Sequence, residues 1–182
     1  MLDRWFARKP PDDRSEELYG RIVAQARRPE FYAGGGVPDS LDGRFEMLAL
    51  HLFLVLHRLQ RERADPACAT LAQALVDRVA ADLDANLREM GAGDLGVGRR
   101  VKHMAGALYG RIAAYETGID GGEEDLRSAI RRNLFGTVEA GDNQVAAMAR
   151  YVLAGHALLA GCPTAALARG AIDFPPPEPA AP

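Results

Sequence analysis

Apolar residues return every three or four positions along almost the whole chain, and no stretch alternates apolar with polar as a half-buried strand would. β-branched residues are sparse beside Ala, Leu, Arg and Glu, so propensity and periodicity agree on an all-α fold, a single-domain bundle of about six to seven helices. The first helix is expected from Asp13, with Asp13 and Glu16 as a capping pair, to just before Pro29, with Leu18, Ile22, Val23 and Ala26 turned inward. A loop, FYAGGGVPDS, leads to a helix from Leu41 to Arg61 that is apolar on most sides and therefore central. A third helix after Pro66 places Leu71, Leu75, Val79, Leu83 and Leu87 in one row, and Gly91 is its expected stop.

The fourth helix, about Val97 to Thr117, turns Val101, Met104, Ala105, Leu108 and Ile112 inward, and Gly106 and Gly110 are expected to admit a neighbouring backbone. Asp120 to Gly136 reads as a shorter helix, Asp142 as the cap of a longer one, and Thr164 to Ala171 as a last helical piece. FPPPEPAAP cannot continue a helix. The chain is therefore divided into a flexible N-terminal segment, 1–11, a helical domain, 12–172, and a disordered Pro-rich tail, 173–182.

A length of 182 residues with 48% hydrophobic content is enough for one sizeable core. A net charge of -3 excludes a surface that is a nucleic-acid footprint all over, though not local basic clusters. Cys68 and Cys162 belong to no ligand or redox spacing; each reads as a small apolar residue, and a reducing compartment is expected. The first ten residues lack the apolar segment of a secretory signal, and the run Met47 to Leu56 is about half the length a bilayer requires. A cytoplasmic location follows. Leu2, Trp5 and Phe6 among Arg4, Arg8 and Lys9 read either as plain starting residues or as a weak contact with an anionic membrane face.

Gly91, Gly93 and Gly96 spell the dinucleotide-binding pattern, but a helix precedes them where that chemistry needs a strand, and Gly98 is followed by Arg99. The four glycines read instead as a structural turn. Beyond them Arg99, Arg100, Lys102 and His103 crowd a helix N-terminus whose dipole is already positive. Two readings stay open: Asp82, Asp84, Glu89 and Asp94 neutralise these cations, or an anionic or carbonyl-rich partner does. Asp77 and Asp84 read as solvated carboxylates. His51 and His57 point to different sides of one helix, and His51 reads as a hydrogen-bonded core histidine. No serine sits in a nucleophile elbow, so neither a catalytic residue, a metal nor a cofactor is expected. LYGRIVA at 18–24 and LYGRIAA at 108–114 read as local convergence, each giving a partly buried ring, a close helix contact and an exposed cation.

Three segments together, GRFEMLALH at 43–51, LREMGAGDLGVGRRVKHM at 87–104 and LYGRIAAY at 108–115, resemble the ubiquinol-cytochrome c chaperone family. The second segment is the most specific, departing mildly at Ala92 where the family permits Val. The resemblance implies a helical, non-enzymatic assembly factor for the bc1 complex that receives newly made cytochrome b, acting near the ribosomal tunnel exit with a small partner protein. It points to Arg88, Glu89, Gly91, Asp94, Val97, Lys102, Tyr109, Gly110 and Arg111; with Arg99 and Arg100 the charged and aromatic positions form the expected partner-binding set. Without an Arg- and Ser-rich presequence, a bacterial relative is expected, peripheral at the cytoplasmic face of the inner membrane. The competing class is a ribosome- or RNA-associated factor, which needs Arg61, Arg63, Arg99, Arg100, Arg131 and Arg132 on one face. A third, a small-molecule enzyme, needs an enclosed polar pocket at His51 or Asp77.

Overall fold

Every residue from Ala49 to Leu56 is buried, which requires a helix enclosed on all sides. The computed structural model describes residues 13–89 and 94–177, without the side chains at 13, 86, 87, 89 and 94–103. Among them the elements run α1 (Asp13–Ala26), α2 (Pro29–Ala33), α3 (Leu41–Arg61), α4 (Pro66–Glu89), α5 (Asp94–Gly121), α6 (Glu123–Asn133), α7 (Asp142–Ala160) and α8 (Thr164–Leu167). The fold is all-α. Six of these are long and two are short pieces; α3 is the axis, with α1, α4, α5 and α7 packed around it and α6 bridging α5 and α7. Among the described residues, no helix is long and apolar enough to cross a membrane.

Local chemistry sets most boundaries. Ser40 Oγ accepts the Gly43 N–H at 3.1 Å to open α3, and a Cβ on Gly43 would collide with the Pro38 carbonyl. Asp65 Oδ1 accepts the Ala67 N–H at 2.8 Å to open α4, whose Leu71, Leu75, Val79 and Leu83 are buried in one row. Arg58, itself buried, closes α7: its Nε donates to Leu159 O at 2.9 Å and its Nη2 to Cys162 O at 3.2 Å, placing a cation at a helix C-terminus.

Several expectations are corrected. Residues 29–33, expected to end one helix and open a loop, form α2, because Pro29 suits a first helical turn and Phe31 buries its ring. Gly96 and Gly98 lie inside α5 rather than in a turn: glycine weakens a helix by about 1 kcal/mol without forbidding it, and α5 is held by α3, α4 and α6. The helix expected over 120–136 is shortened because Gly122, at φ 101, breaks it from α5. Gly141, not Asp142, takes the cap position of α7, its N–H donating to Gln144 Oε1 at 2.9 Å, while Asp142 accepts from Arg131 at 2.6 Å. Gly106 and Gly110 admit no neighbouring backbone, since they face outward and nothing lies within 4 Å of a Cβ built there. Residues 173–177, expected as part of a disordered tail, are placed against the helices, with Phe174 packed on the core, and 178–182 lie outside the described residues. Gly91 as the stop of α4 and the flexibility of 1–11 lie outside the described residues.

Candidate functional site

Two of the three motif segments meet across the α3–α5 contact. Glu46, buried one turn after the start of α3, accepts a forked pair of bonds from Arg111 of α5: Nε to Oε1 at 3.0 Å and to Oε2 at 3.1 Å, Nη2 to Oε1 at 2.6 Å. The Phe45 ring lies 5.9 Å from the Arg111 guanidinium, and one turn further along α5 Tyr115 is wholly buried against Phe53. Burial pushes the Tyr115 phenol far up, and its hydroxyl has no hydrogen-bond partner among the described residues. Arg111, expected as an exposed cation, thus locks the two segments together.

The near-repeat LYGR is used in two different ways. At 18–21 Tyr19 is buried, its O–H donating to Asp82 at 2.7 Å with the Arg78 guanidinium 5.8 Å from its ring, and Arg21 is exposed beside Glu17. At 108–111 Tyr109 is 47% exposed and Arg111 turns inward. Neither Gly20 nor Gly110 makes the close helix contact expected of it. Among the described residues, Gly106, Tyr109, Gly110 and Ala113 therefore leave one side of α5 uncovered, directly after the most specific motif.

Of that motif, Arg88 is exposed and donates from Nε to Asp84 at 2.8 Å, and Asp82 accepts the Tyr19 hydroxyl. Gly91 and Gly93 and the side chains of Glu89, Asp94, Val97, Arg99, Arg100 and Lys102 lie outside the described residues, as do Leu2, Trp5 and Phe6. The question of what neutralises Arg99, Arg100 and Lys102 falls with them.

His51 is the core histidine the sequence suggests. Its Nδ1–H donates to Met47 O at 2.8 Å and its Nε2 accepts the Tyr151 O–H at 2.7 Å, which fixes the neutral tautomer; burial pushes its pKa down to about 4. Phe31 and Phe174 surround the ring edge to face at 5.6 and 5.2 Å. A second histidine pair was not foreseen: His57 of α3 and His156 of α7 lie 5.3 Å apart, with Glu116 3.5 Å from His57 Nδ1, and burial and then His57 lower the His156 pKa. The 99 positions that separate His57 from His156 hide that pairing from any local pattern.

An enclosed polar pocket at His51 or Asp77 does not form among the described residues. Asp77 is exposed and accepts from Gln73 at 2.9 Å; two surface hollows, of about 300 and 420 Å³, border α6 and reach neither residue. No three His, Cys, Asp or Glu among the described residues are placed to hold a metal ion. Cys68 is buried, which pushes its thiol up, whereas Cys162 is only partly buried. Of the six arginines that an RNA-associated factor would need on one face, Arg99 and Arg100 have side chains outside the described residues. Arg131 bonds Asp142 in the first turn of α7, whereas Arg58, one turn before Arg61, bonds Leu159 in its last turn, about 26 Å along the same helix.

A family described as ubiquinol-cytochrome C chaperone matches residues 34–174. The crystal structure of the Cbp3 homolog from Brucella abortus superimposes with a TM-score of 0.81 at 37% identity, covering 97% of each chain. No curated protein sequence matches.

Proposed function

Because this chain belongs to the ubiquinol-cytochrome C chaperone family, we propose that it binds newly synthesised cytochrome b and assists biogenesis of the ubiquinol-cytochrome c reductase (bc1) complex. The observation that carries the reading is the extent of the match. It spans 34–174, and the forked Glu46–Arg111 pair supports it by joining two of the motif segments in one contact. The role is binding, with no catalytic step.

In this reading the partner surface is the uncovered side of α5 and the motif before it: Arg88, Glu89, Asp94, Arg99, Arg100, Lys102 and Tyr109, with Arg111 positioning the helix from behind. Tyr109 suits a contact because an exposed ring beside two glycines offers apolar area with no backbone in the way. The protein works at the cytoplasmic face of the inner membrane, near the ribosomal tunnel exit, with Leu2, Trp5 and Phe6 touching lipid. A photo-crosslinker at Arg99 or Tyr109 should capture cytochrome b selectively. Equal capture of unrelated membrane proteins would overturn the assignment of the client.

A further inference from the structure

Three side chains on one face of α1 donate to main-chain carbonyls of the segment that follows α8. Arg14 Nη1 reaches Ala168 O at 3.2 Å, Arg21 Nη1 reaches Ile172 O at 3.4 Å, and Gln25 Nε2 reaches Pro175 O at 3.0 Å. Positions 14, 21 and 25 stack at whole-turn spacing, so α1 presents a row of donors, and the segment runs alongside it in the same direction. Ile172 is buried, the Phe174 ring meets His51 edge to face at 5.2 Å, and Pro175 lies over Gly155, where an added Cβ would come within 3.7 Å of its ring.

What this groove recognises is backbone shape and one ring. Among the described residues, no backbone-to-backbone hydrogen bond ties 172–177 to the helices they cross, and Pro175, Pro176 and Pro177 have no N–H to offer. A surface that supplies donors to carbonyls, an aromatic seat and a glycine gap fits an extended, proline-rich or otherwise donor-poor chain. The polar floor is continuous as well: Gln25 Nε2 also donates to the Tyr151 hydroxyl at 2.9 Å, and Tyr151 donates to His51.

We propose that the groove between α1, α3 and α7 is an extended-peptide site that the chain fills with its own residues 172–177, and that an apolar, donor-poor segment bearing an aromatic ring takes the same seat when this strap lifts. The family match ends at 174, so Pro175 to Pro177, which complete the self-occupancy, lie beyond it. Only the assignment of the incoming segment to cytochrome b rests on the chaperone reading. The site itself does not.

The test uses the full chain and a fluorescein-labelled peptide copying 171–177, followed by anisotropy. A Phe174→Ser variant, whose own strap has lost its ring, should bind this peptide at least tenfold more tightly than the wild type. A peptide carrying Ser in place of its Phe should not bind either protein. On the isotope-labelled wild type itself, millimolar unlabelled peptide should move the Phe174 ring resonances toward those of an unpacked phenylalanine, a readout that holds even if the variant folds poorly. Unchanged Phe174 resonances, together with no binding to a folded variant, would overturn the site. Binding of the strap peptide with none of any apolar cytochrome b segment would leave the site standing and overturn only its assignment to that client.

Discussion

His51 must stay neutral for the core around it to hold. Protonation would turn Nε2 into a donor facing a hydroxyl that already donates to it, in a place without water to absorb the charge. The unfolded chain takes up that proton near pH 6.5 and the folded one only near 4, so stability falls as pH drops through this window and levels off below it. The gap corresponds to about 3 kcal/mol. Urea midpoints measured from pH 7 to 4 should show this slope, and His51→Gln, though less stable at pH 7, should flatten it; an unchanged slope in the variant would assign the loss elsewhere. Glu46 and Arg111 allow a second test, because one partner is buried and the other partly wet. Arg111→Met strands a carboxylate in the core and should cost about 3 kcal/mol, whereas Glu46→Gln leaves a guanidinium that can reach solvent and should cost less. Equal costs by chemical denaturation would contradict the pairing. The character of His51 was legible from Leu50 and Leu52 beside it, but the partner of Arg111 was not, since Glu46 lies 65 positions away and nothing local to either residue names the other.

At the scale of elements, the long helices were legible because each buries a periodic apolar stripe, as Leu71 to Leu83 of α4 show. Their ends were less so. Pro29 opens a helix as well as closing one, Gly122 splits what periodicity joins, and Gly96 and Gly98 are carried into α5 by packing that no short window contains. Glycines separate the two kinds of position. Gly43→Ala should lower stability by about 1–3 kcal/mol because its Cβ meets the Pro38 carbonyl. Gly110→Ala, helical and open, should raise it by about 1 kcal/mol. Thermal melts of the two variants moving in the same direction would contradict this account of α3 and α5. If Gly110→Ala is more stable yet impairs bc1 assembly, the loss belongs to a partner contact and not to the fold.

For the whole molecule, one buried helix organises the rest: α3 meets α5 through the Glu46–Arg111 lock and runs parallel to α7 through His51 with Tyr151 and Arg58 with Leu159. Among the described residues the arrangement leaves an exposed side on α5 and no enclosed polar pocket at His51 or Asp77, which favours a shaped binding surface over a reaction pocket. Fold class and family were both legible in the sequence, the first from periodicity and the second from three segments, two of which meet through Glu46 and Arg111. The strap was not, because a proline-rich stretch reads the same whether it is free or seated in a groove that only the folded chain creates. The central claim is a dedicated role in bc1 biogenesis, and removal of the gene tests it most directly, with cytochrome b and several other membrane complexes quantified in parallel. Loss of cytochrome b and the bc1 complex alone, restored by returning the gene, is the predicted result; unaffected bc1, or an equal loss of every membrane complex, would contradict it.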